Sequence, residues 1–122
     1  MATLDFFQLP INADEGLPQA FRLAVGDRLY QFRLYANVAE ELLNAAPTGP
    51  IDLPIPGAFL VLRVDRESPT GLVTLLQRKL VLDHEYEAAE LALTFRTMRL
   101  DPRNLNGLGA FGSQIVGGVA RR

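Results

Sequence analysis

The stretch of sequence that decides the fold runs from residue 21 to residue 37 and reads FRLAVGDRLYQFRLYAN. Apolar and polar residues alternate on both sides of Gly26-Asp27, and in the second half Tyr30, Phe32 and Leu34 share one face. This period of two is typical of a strand, because successive side chains of extended backbone point to opposite faces. A glycine-aspartate pair between two such stretches is a turn signal. Residues 21–37 therefore predict an antiparallel β-hairpin.

Outward from this hairpin, further segments have strand character. They are residues 3–9, residues 58–64, residues 72–82 and residues 90–100, with a turn at Ser68-Pro69-Thr70-Gly71 that predicts a second hairpin. Residues 38–45 contain good helix formers for only about two turns, so a short helix and a loop both remain open. The proline-rich residues 47–57 predict an extended loop.

Length and composition limit the class of protein. With 122 residues the chain fits one domain around a single core. The net charge of −2 gives no attraction to polyanions over the whole surface, and without cysteine there is neither a disulfide framework nor a thiolate zinc site. No apolar run approaches the roughly 20 residues that span a bilayer, and no signal peptide is visible. We therefore expect synthesis in the cytoplasm and no membrane segment.

The last part of the chain, residues 103–122, has a different composition. It holds five glycines among leucine, phenylalanine, isoleucine and valine. Glycine loses much backbone entropy on ordering, whereas the apolar side chains favour burial. We predict a mainly β domain at residues 1–102, either a small antiparallel barrel or a sandwich of hairpins, with at most one short helix. Residues 103–122 are predicted to form an extended, glycine-rich C-terminal tail that packs on this domain or on a neighbouring subunit.

Residues suited to catalysis or metal binding are few. The only histidine lies in Asp83-His84-Glu85, but one nitrogen ligand is few for a transition metal and neighbouring strand residues point to opposite faces. Ser68 lies in a turn and Ser113 in the tail, so neither has the setting of a catalytic nucleophile. The sequence GLGAFG at 107–112 has the glycine spacing of a dinucleotide loop, but no βαβ unit can follow it. We predict no enzyme activity, no cofactor and no metal site.

The hairpin also resembles a known family. Gly26-Asp27, the stretch Tyr30-Gln31-Phe32-Arg33-Leu34 and Asn37 are similar to a pattern of the baseplate plug family of contractile-tailed bacteriophages, namely a strand, a Gly-Asp or Asp-Gly turn, Tyr-x-Phe/Leu-x-Leu and an asparagine. The resemblance covers about the first third of the chain, together with its general size and β-rich layout. It implies a virion structural protein near the central hub of the tail baseplate, present in several copies and without catalytic residues.

Together these observations predict a plug or hub-associated component of a phage tail baseplate. Its expected partners are hub, tube and spike proteins and further copies of itself, with neither a membrane nor nucleic acid among them. The residues predicted to contact partners are aromatic or aliphatic: Tyr30, Phe32, Tyr35, Leu108, Phe111, Ile115 and Val116. The alternative is a small β-barrel that binds a ligand or a single-stranded nucleic acid by stacking on the aromatic and arginine residues of the first hairpin.

Overall fold

Two antiparallel sheets form the described part of the molecule. A computed structural model describes residues 5–12, 15–41, 51–101 and 113–122. Its strands are β1 (Phe7–Gln8), β2 (Gln19–Val25), β3 (Arg28–Val38), β4 (Ile51–Asp52), β5 (Ala58–Ser68), β6 (Gly71–Lys79), β7 (Tyr86–Ala88), β8 (Leu91–Leu100) and β9 (Gln114–Arg121). Sheet A has the strand order β1-β9-β8-β4, with β7 also paired to β8, and sheet B has the order β2-β3-β5-β6. The predicted mainly β fold is confirmed, as a small sandwich and not a closed barrel.

Both predicted hairpins lie in sheet B. In the first, Val25 pairs with Arg28, and Gly26 adopts a φ of 64° that closes a two-residue turn. Such a positive φ is costly for residues with a Cβ, which explains the glycine at this position. The second hairpin joins β5 and β6 and closes between Ser68 and Gly71. Its strands confirm the predicted hairpin, with β5 continuing beyond the predicted end at residue 64.

The core lies between the sheets. From sheet B it receives the inward residues of β3 and β5, among them Phe32, Leu34, Leu60 and Leu62, all of which are 0% exposed. From sheet A it receives Leu91, Leu93, Phe95, Met98 and Leu100 of β8 and Ile115 and Val119 of β9. A register shift between Phe95 and Thr97 interrupts the alternation along β8. Burying a side chain of this size contributes roughly 1.5–3 kcal/mol, so this shared layer accounts for the pairing of the sheets.

The described residues of the predicted C-terminal tail pack on this domain, one of the two predicted alternatives, but as a strand of sheet A and not as a separate segment. Residues 114–121 form β9, which lies between β1 and β8 in sheet A, and Ile115, Val119 and Ala120 are buried. A Cβ added at Gly117 would lie 2.5 Å from the ring of Phe95. This glycine therefore permits close packing and does not mark a flexible segment. The domain boundary after residue 102 fails for residues 113–122, and residues 103–112 lie outside the described part of the chain.

Other predicted elements have mixed outcomes. The strand at residues 90–100 is confirmed as β8, whereas the strand at residues 3–9 is described only from residue 5 and is reduced to β1. Of the suggested helix at residues 38–45, Val38 belongs to β3 and residues 42–45 lie outside the described residues. In the proline-rich segment, β4 pairs with β8, so this segment contributes to sheet A. No helix in the described residues is long and apolar enough to cross a membrane.

A polar cluster connects the two sheets near the first hairpin. Tyr30, on β3, donates a hydrogen bond of 2.6 Å from its hydroxyl to Glu90, in the turn between β7 and β8. Arg66, on β5, donates to both carboxylate oxygens of Glu90 at 2.8 and 2.9 Å. Burial alone would raise the pKa of Glu90, but the hydrogen bonds from Tyr30 and Arg66 outweigh it and lower the pKa to about 2. Burial, together with Glu90, raises the pKa of Tyr30 to about 12.

Candidate interaction surface

Three of the residues predicted to contact partners are buried inside the domain. Tyr30 is 1% exposed, Phe32 0% and Ile115 3%. Their side chains belong to the core, so the prediction that they form a contact surface is wrong. Alternation along the hairpin had separated its two faces correctly, but it does not say which face points inward.

Two further predicted contact residues are half-buried. Tyr35 lies on β3 and points away from the core, and Val116 lies on β9. Leu108 and Phe111 lie outside the described residues. Of the residues predicted to contact partners, Tyr35 is the one that marks an outward face of sheet B. It shares that face of β3 with two polar residues, Gln31 and Arg33.

The face of sheet B that carries Gln31, Arg33 and Tyr35 points away from the core. Its side chains come from alternate positions of all four strands, as pairing within the sheet requires. We call this the outer face of sheet B, and its main members are Arg22, Gln31, Arg33, Tyr35, Phe59, Arg63, Asp65, Glu67, Thr74 and Lys79. Four cations stand here against two carboxylates, although the whole chain has a net charge of −2.

Ion pairs fix part of this face. Arg22 donates two hydrogen bonds to the carboxylate of Glu67, at 2.5 and 2.7 Å. The resulting pair lowers the pKa of Glu67, chiefly through these hydrogen bonds. The guanidinium of Arg63 donates to Asp65 at 3.1 and 3.2 Å, and the hydroxyl of Thr74 donates to the same carboxylate at 2.7 Å. Asp65 is 0% exposed, so its charge is balanced inside the face and is not offered to a partner.

Arg33 differs from these paired arginines. It stands directly opposite Arg63 in the register of β3 and β5, and no ion pair is found for it within the described residues. Like charges in directly opposed positions repel each other. A carboxylate brought by another molecule would relieve that repulsion, and a guanidinium can bind it through two parallel hydrogen bonds. A shallow depression of about 230 Å³ beside Arg33 is lined by Ala20, Phe21, Arg22, Gln31 and Arg33.

The aromatic members of the outer face lie at its far end. The ammonium group of Lys79 is 4.9 Å from the ring centroid of Phe59, a cation–π contact. Tyr35 pairs in register with Val61, two positions along β5 from Phe59. Half-exposed aromatic and arginine side chains on a flat sheet are typical of protein contact surfaces, where they combine apolar area with directed hydrogen bonds.

The residues considered for chemistry take ordinary structural positions. His84 makes an edge-on contact with the ring of Tyr86 at 4.5 Å between centroids. The hydroxyl of Ser68 donates to the carbonyl of Gly71 at 2.6 Å within its turn, and that of Ser113 accepts from the backbone N–H of Asp101 at 2.8 Å. In the described part of the chain no group of three or more His, Cys, Asp or Glu side chains is placed to hold a metal ion.

Known proteins offer no guide to this surface. No family model, curated protein or solved structure matches the chain. The relation to the baseplate plug family therefore stays a prediction from residues 21–37. Function has to be argued from the surface itself, whose arrangement can bind carboxylates and aromatic or apolar groups of another protein.

Proposed function

We propose that this protein is a non-enzymatic structural component of a contractile phage tail baseplate, and that it docks there through the outer face of sheet B. The observation that carries the proposal is the cationic, aromatic-containing character of this face, with Arg33 lacking a carboxylate partner in the described residues. The resemblance of residues 21–37 to baseplate plug proteins suggests the assembly. Hub, tube or spike proteins are the partners expected near such a position.

The charge distribution favours a protein partner over a polyanion. The cations of the face are few, two of them are already paired, and the chain as a whole is acidic. A partner is therefore expected to place a carboxylate against Arg33 and Arg63 and an apolar or aromatic group near Tyr35. Truncating an arginine at the centre of such a contact typically costs about 2–4 kcal/mol of binding free energy.

Charge reversal at Arg33 tests this proposal. The chain would be co-expressed with hub, tube and spike proteins of contractile tails, and binding would be measured by co-purification and then by titration calorimetry. Arg33→Glu is expected to weaken binding by about a hundredfold or more, the equivalent of at least 2.7 kcal/mol. Arg99→Glu is the matched control, because Arg99 is 49% exposed on sheet A and its ion pair within the described residues is with the exposed Asp52.

Two outcomes would contradict the proposal. If no tail protein binds the wild-type chain, the proposed baseplate assembly is wrong. If both variants bind as the wild type does, the proposed docking through the outer face of sheet B is wrong. Oligonucleotide binding that weakens with salt and quenches Tyr35 fluorescence would support the alternative function instead. The burial of Tyr30 and Phe32 removes two of the aromatic residues of the first hairpin on which that alternative depended.

A further inference from the structure

The β6 strand forms one edge of sheet B. It pairs with β5 on one side, and no other described strand pairs with it on the other. Residues 71–74 are all exposed, and two of them are apolar: Leu72 is 46% exposed and Val73 42%. In this part of the hairpin Leu72 and Val73 point to opposite faces of the sheet, so both faces of the strand meet solvent.

Among the described residues, a side chain from the other sheet satisfies one end of this edge. The hydroxyl of Tyr86 accepts a hydrogen bond from the backbone N–H of Val81 at 2.7 Å and donates to the carbonyl of Lys79 at 3.0 Å. Tyr86 is 4% exposed and belongs to β7 of the other sheet. The side chain therefore covers the edge where β6 ends, whereas no described residue is found to cover the outward backbone groups of residues 71–77 in this way.

The uncovered segment has the composition of a pairing strand. Residues 71–77 read GLVTLLQ, without charge or proline. Segments of this kind, with high β-propensity and no net charge, associate readily when they are exposed on an edge. Soluble proteins usually protect such an edge with a charge or a proline, and in this chain Arg78 and Lys79 stand only at its C-terminal end.

We propose that residues 71–77 pair with the same residues of a second copy of this chain, antiparallel and about a two-fold axis, so that two copies of sheet B become one continuous sheet. The uncharged segment matches itself in this arrangement, and both copies use the same surface. The inference concerns contacts between copies and does not depend on the outer face of sheet B or on the identity of the assembly.

Charge selects the direction of pairing. In a parallel arrangement Arg78 and Lys79 of one copy would stand beside the same cations of the other. In the antiparallel arrangement the two cationic ends are separated by the length of the paired segment. Each cationic end then lies beside the turn end of the other copy, away from the like charges. Repulsion between like charges across an interface therefore opposes the parallel arrangement.

The expected association is weak. A contact along one strand edge buries less than the roughly 1,200–2,000 Å² of a standard interface, so we expect a dissociation constant on the order of 10–100 µM for the isolated chain. Sedimentation velocity of the full chain over a range from about 2 µM to about 500 µM would follow the monomer and dimer. The expected result is a monomer at the low end and a dimer at the high end.

Single charges on the two edges locate the contact. Val73→Lys adds a cation to the proposed pairing edge and is expected to weaken dimerisation at least tenfold. Phe7→Lys is the control, because Phe7 is 67% exposed on β1 of sheet A and its replacement is expected to leave dimerisation unchanged. Circular dichroism and thermal unfolding would establish that both variants fold. A wild-type chain that stays monomeric throughout, or a Val73→Lys variant that dimerises as the wild type does, would overturn the inference.

Cysteine cross-linking tests the direction of pairing, because the chain has no cysteine of its own. Val73→Cys, Thr74→Cys and Leu75→Cys would be prepared separately and oxidised at high concentration. A disulfide needs Cα atoms roughly 4.4–6.8 Å apart, and about a two-fold axis only the position nearest the axis meets itself at that distance. One strongly cross-linked position supports the antiparallel pair. Equal cross-linking at all three positions, or at none, overturns it.

Discussion

Replacing Glu90 with glutamine tests how firmly the polar cluster holds the two sheets together. In the wild-type chain the Glu90 carboxylate accepts hydrogen bonds from Tyr30 on β3 and from Arg66 on β5. Glutamine keeps the size of the side chain but removes its charge and one acceptor oxygen. The Arg66 guanidinium then faces a neutral amide, so part of its interaction with sheet A is lost.

The lowered pKa of Glu90 gives the expected magnitude. The pKa falls from an ordinary value of 4.5 to about 2, and a difference of about 2.5 pKa units corresponds to about 3.4 kcal/mol. The Glu90 side chain is 24% exposed, so solvent screens part of this, and we expect a loss of about 2 kcal/mol at pH 7. Because the folded pKa lies below the unfolded one, this stabilisation is present above about pH 4.5 and is lost as the pH falls towards 2.

Urea denaturation at several pH values is the direct assay. At pH 7 the Glu90→Gln variant is expected to unfold with about 2 kcal/mol less free energy than the wild type, and at pH 2 the difference is expected to shrink below about 0.5 kcal/mol. Glu87→Gln is the control, because Glu87 is 63% exposed and its pair with Arg122 should contribute about 0.5 kcal/mol or less. A loss that is the same at both pH values, or no loss at pH 7, would refute the assigned role of the carboxylate.

Other substitutions test packing and burial. Gly117→Ala is expected to lower the melting temperature by about 5–10 °C in a thermal scan, because its Cβ would overlap the Phe95 ring. In a Phe95→Leu background, which is itself destabilised because Phe95 is 0% exposed, the same substitution should cost less. An unchanged melting temperature for Gly117→Ala alone would contradict the overlap. Asp65→Asn is expected to lower the free energy of urea unfolding by about 2 kcal/mol, since it leaves the Arg63 guanidinium without its carboxylate. An unchanged free energy of unfolding would show that the ion pair between Asp65 and Arg63 does not stabilise the fold. A chain that ends at Asp101 lacks β9 and is expected to show no cooperative unfolding by circular dichroism. A truncated chain that still folds would show that the core does not require β9.

The strands could be predicted where apolar and polar side chains alternate, because a strand with one buried face and one exposed face requires this alternation. The first hairpin was found together with its turn, since Gly26 marks a position that needs a positive φ. The second hairpin and β8 were predicted from strand patterns of the same kind. Short strands such as β4 and β7 carry too few residues to show a period, and they form because β8 offers them an edge.

The C-terminal strand was missed because glycine has two opposite meanings in a sequence. It marks flexible backbone in a linker, but in a sheet it marks a place where another group approaches closely. The Phe95 ring occupies the space above Gly117, and Phe6 lies against Gly118. Only the three-dimensional pairing of β9 with β8 reveals that these glycines make room for aromatic rings.

The contact surface was only partly predictable. Alternation grouped Gln31, Arg33 and Tyr35 on one face of the hairpin, and this grouping is correct. The opposing arginine at position 63 comes from a different hairpin, and its alignment with Arg33 depends on the β3–β5 register. No local pattern in the sequence contains that register.

Because Phe7 pairs with Val119, sheet A draws on both ends of the described chain. During synthesis, residues 19–79 leave the ribosome before β9 and can already form sheet B from neighbouring hairpins, while the strand that completes sheet A has not yet been translated. Contacts between residues so far apart in sequence form late and slowly. A nascent chain that stalls before residue 114 would therefore hold a half-built sandwich with an uncovered leucine-rich layer, a natural target for a chaperone.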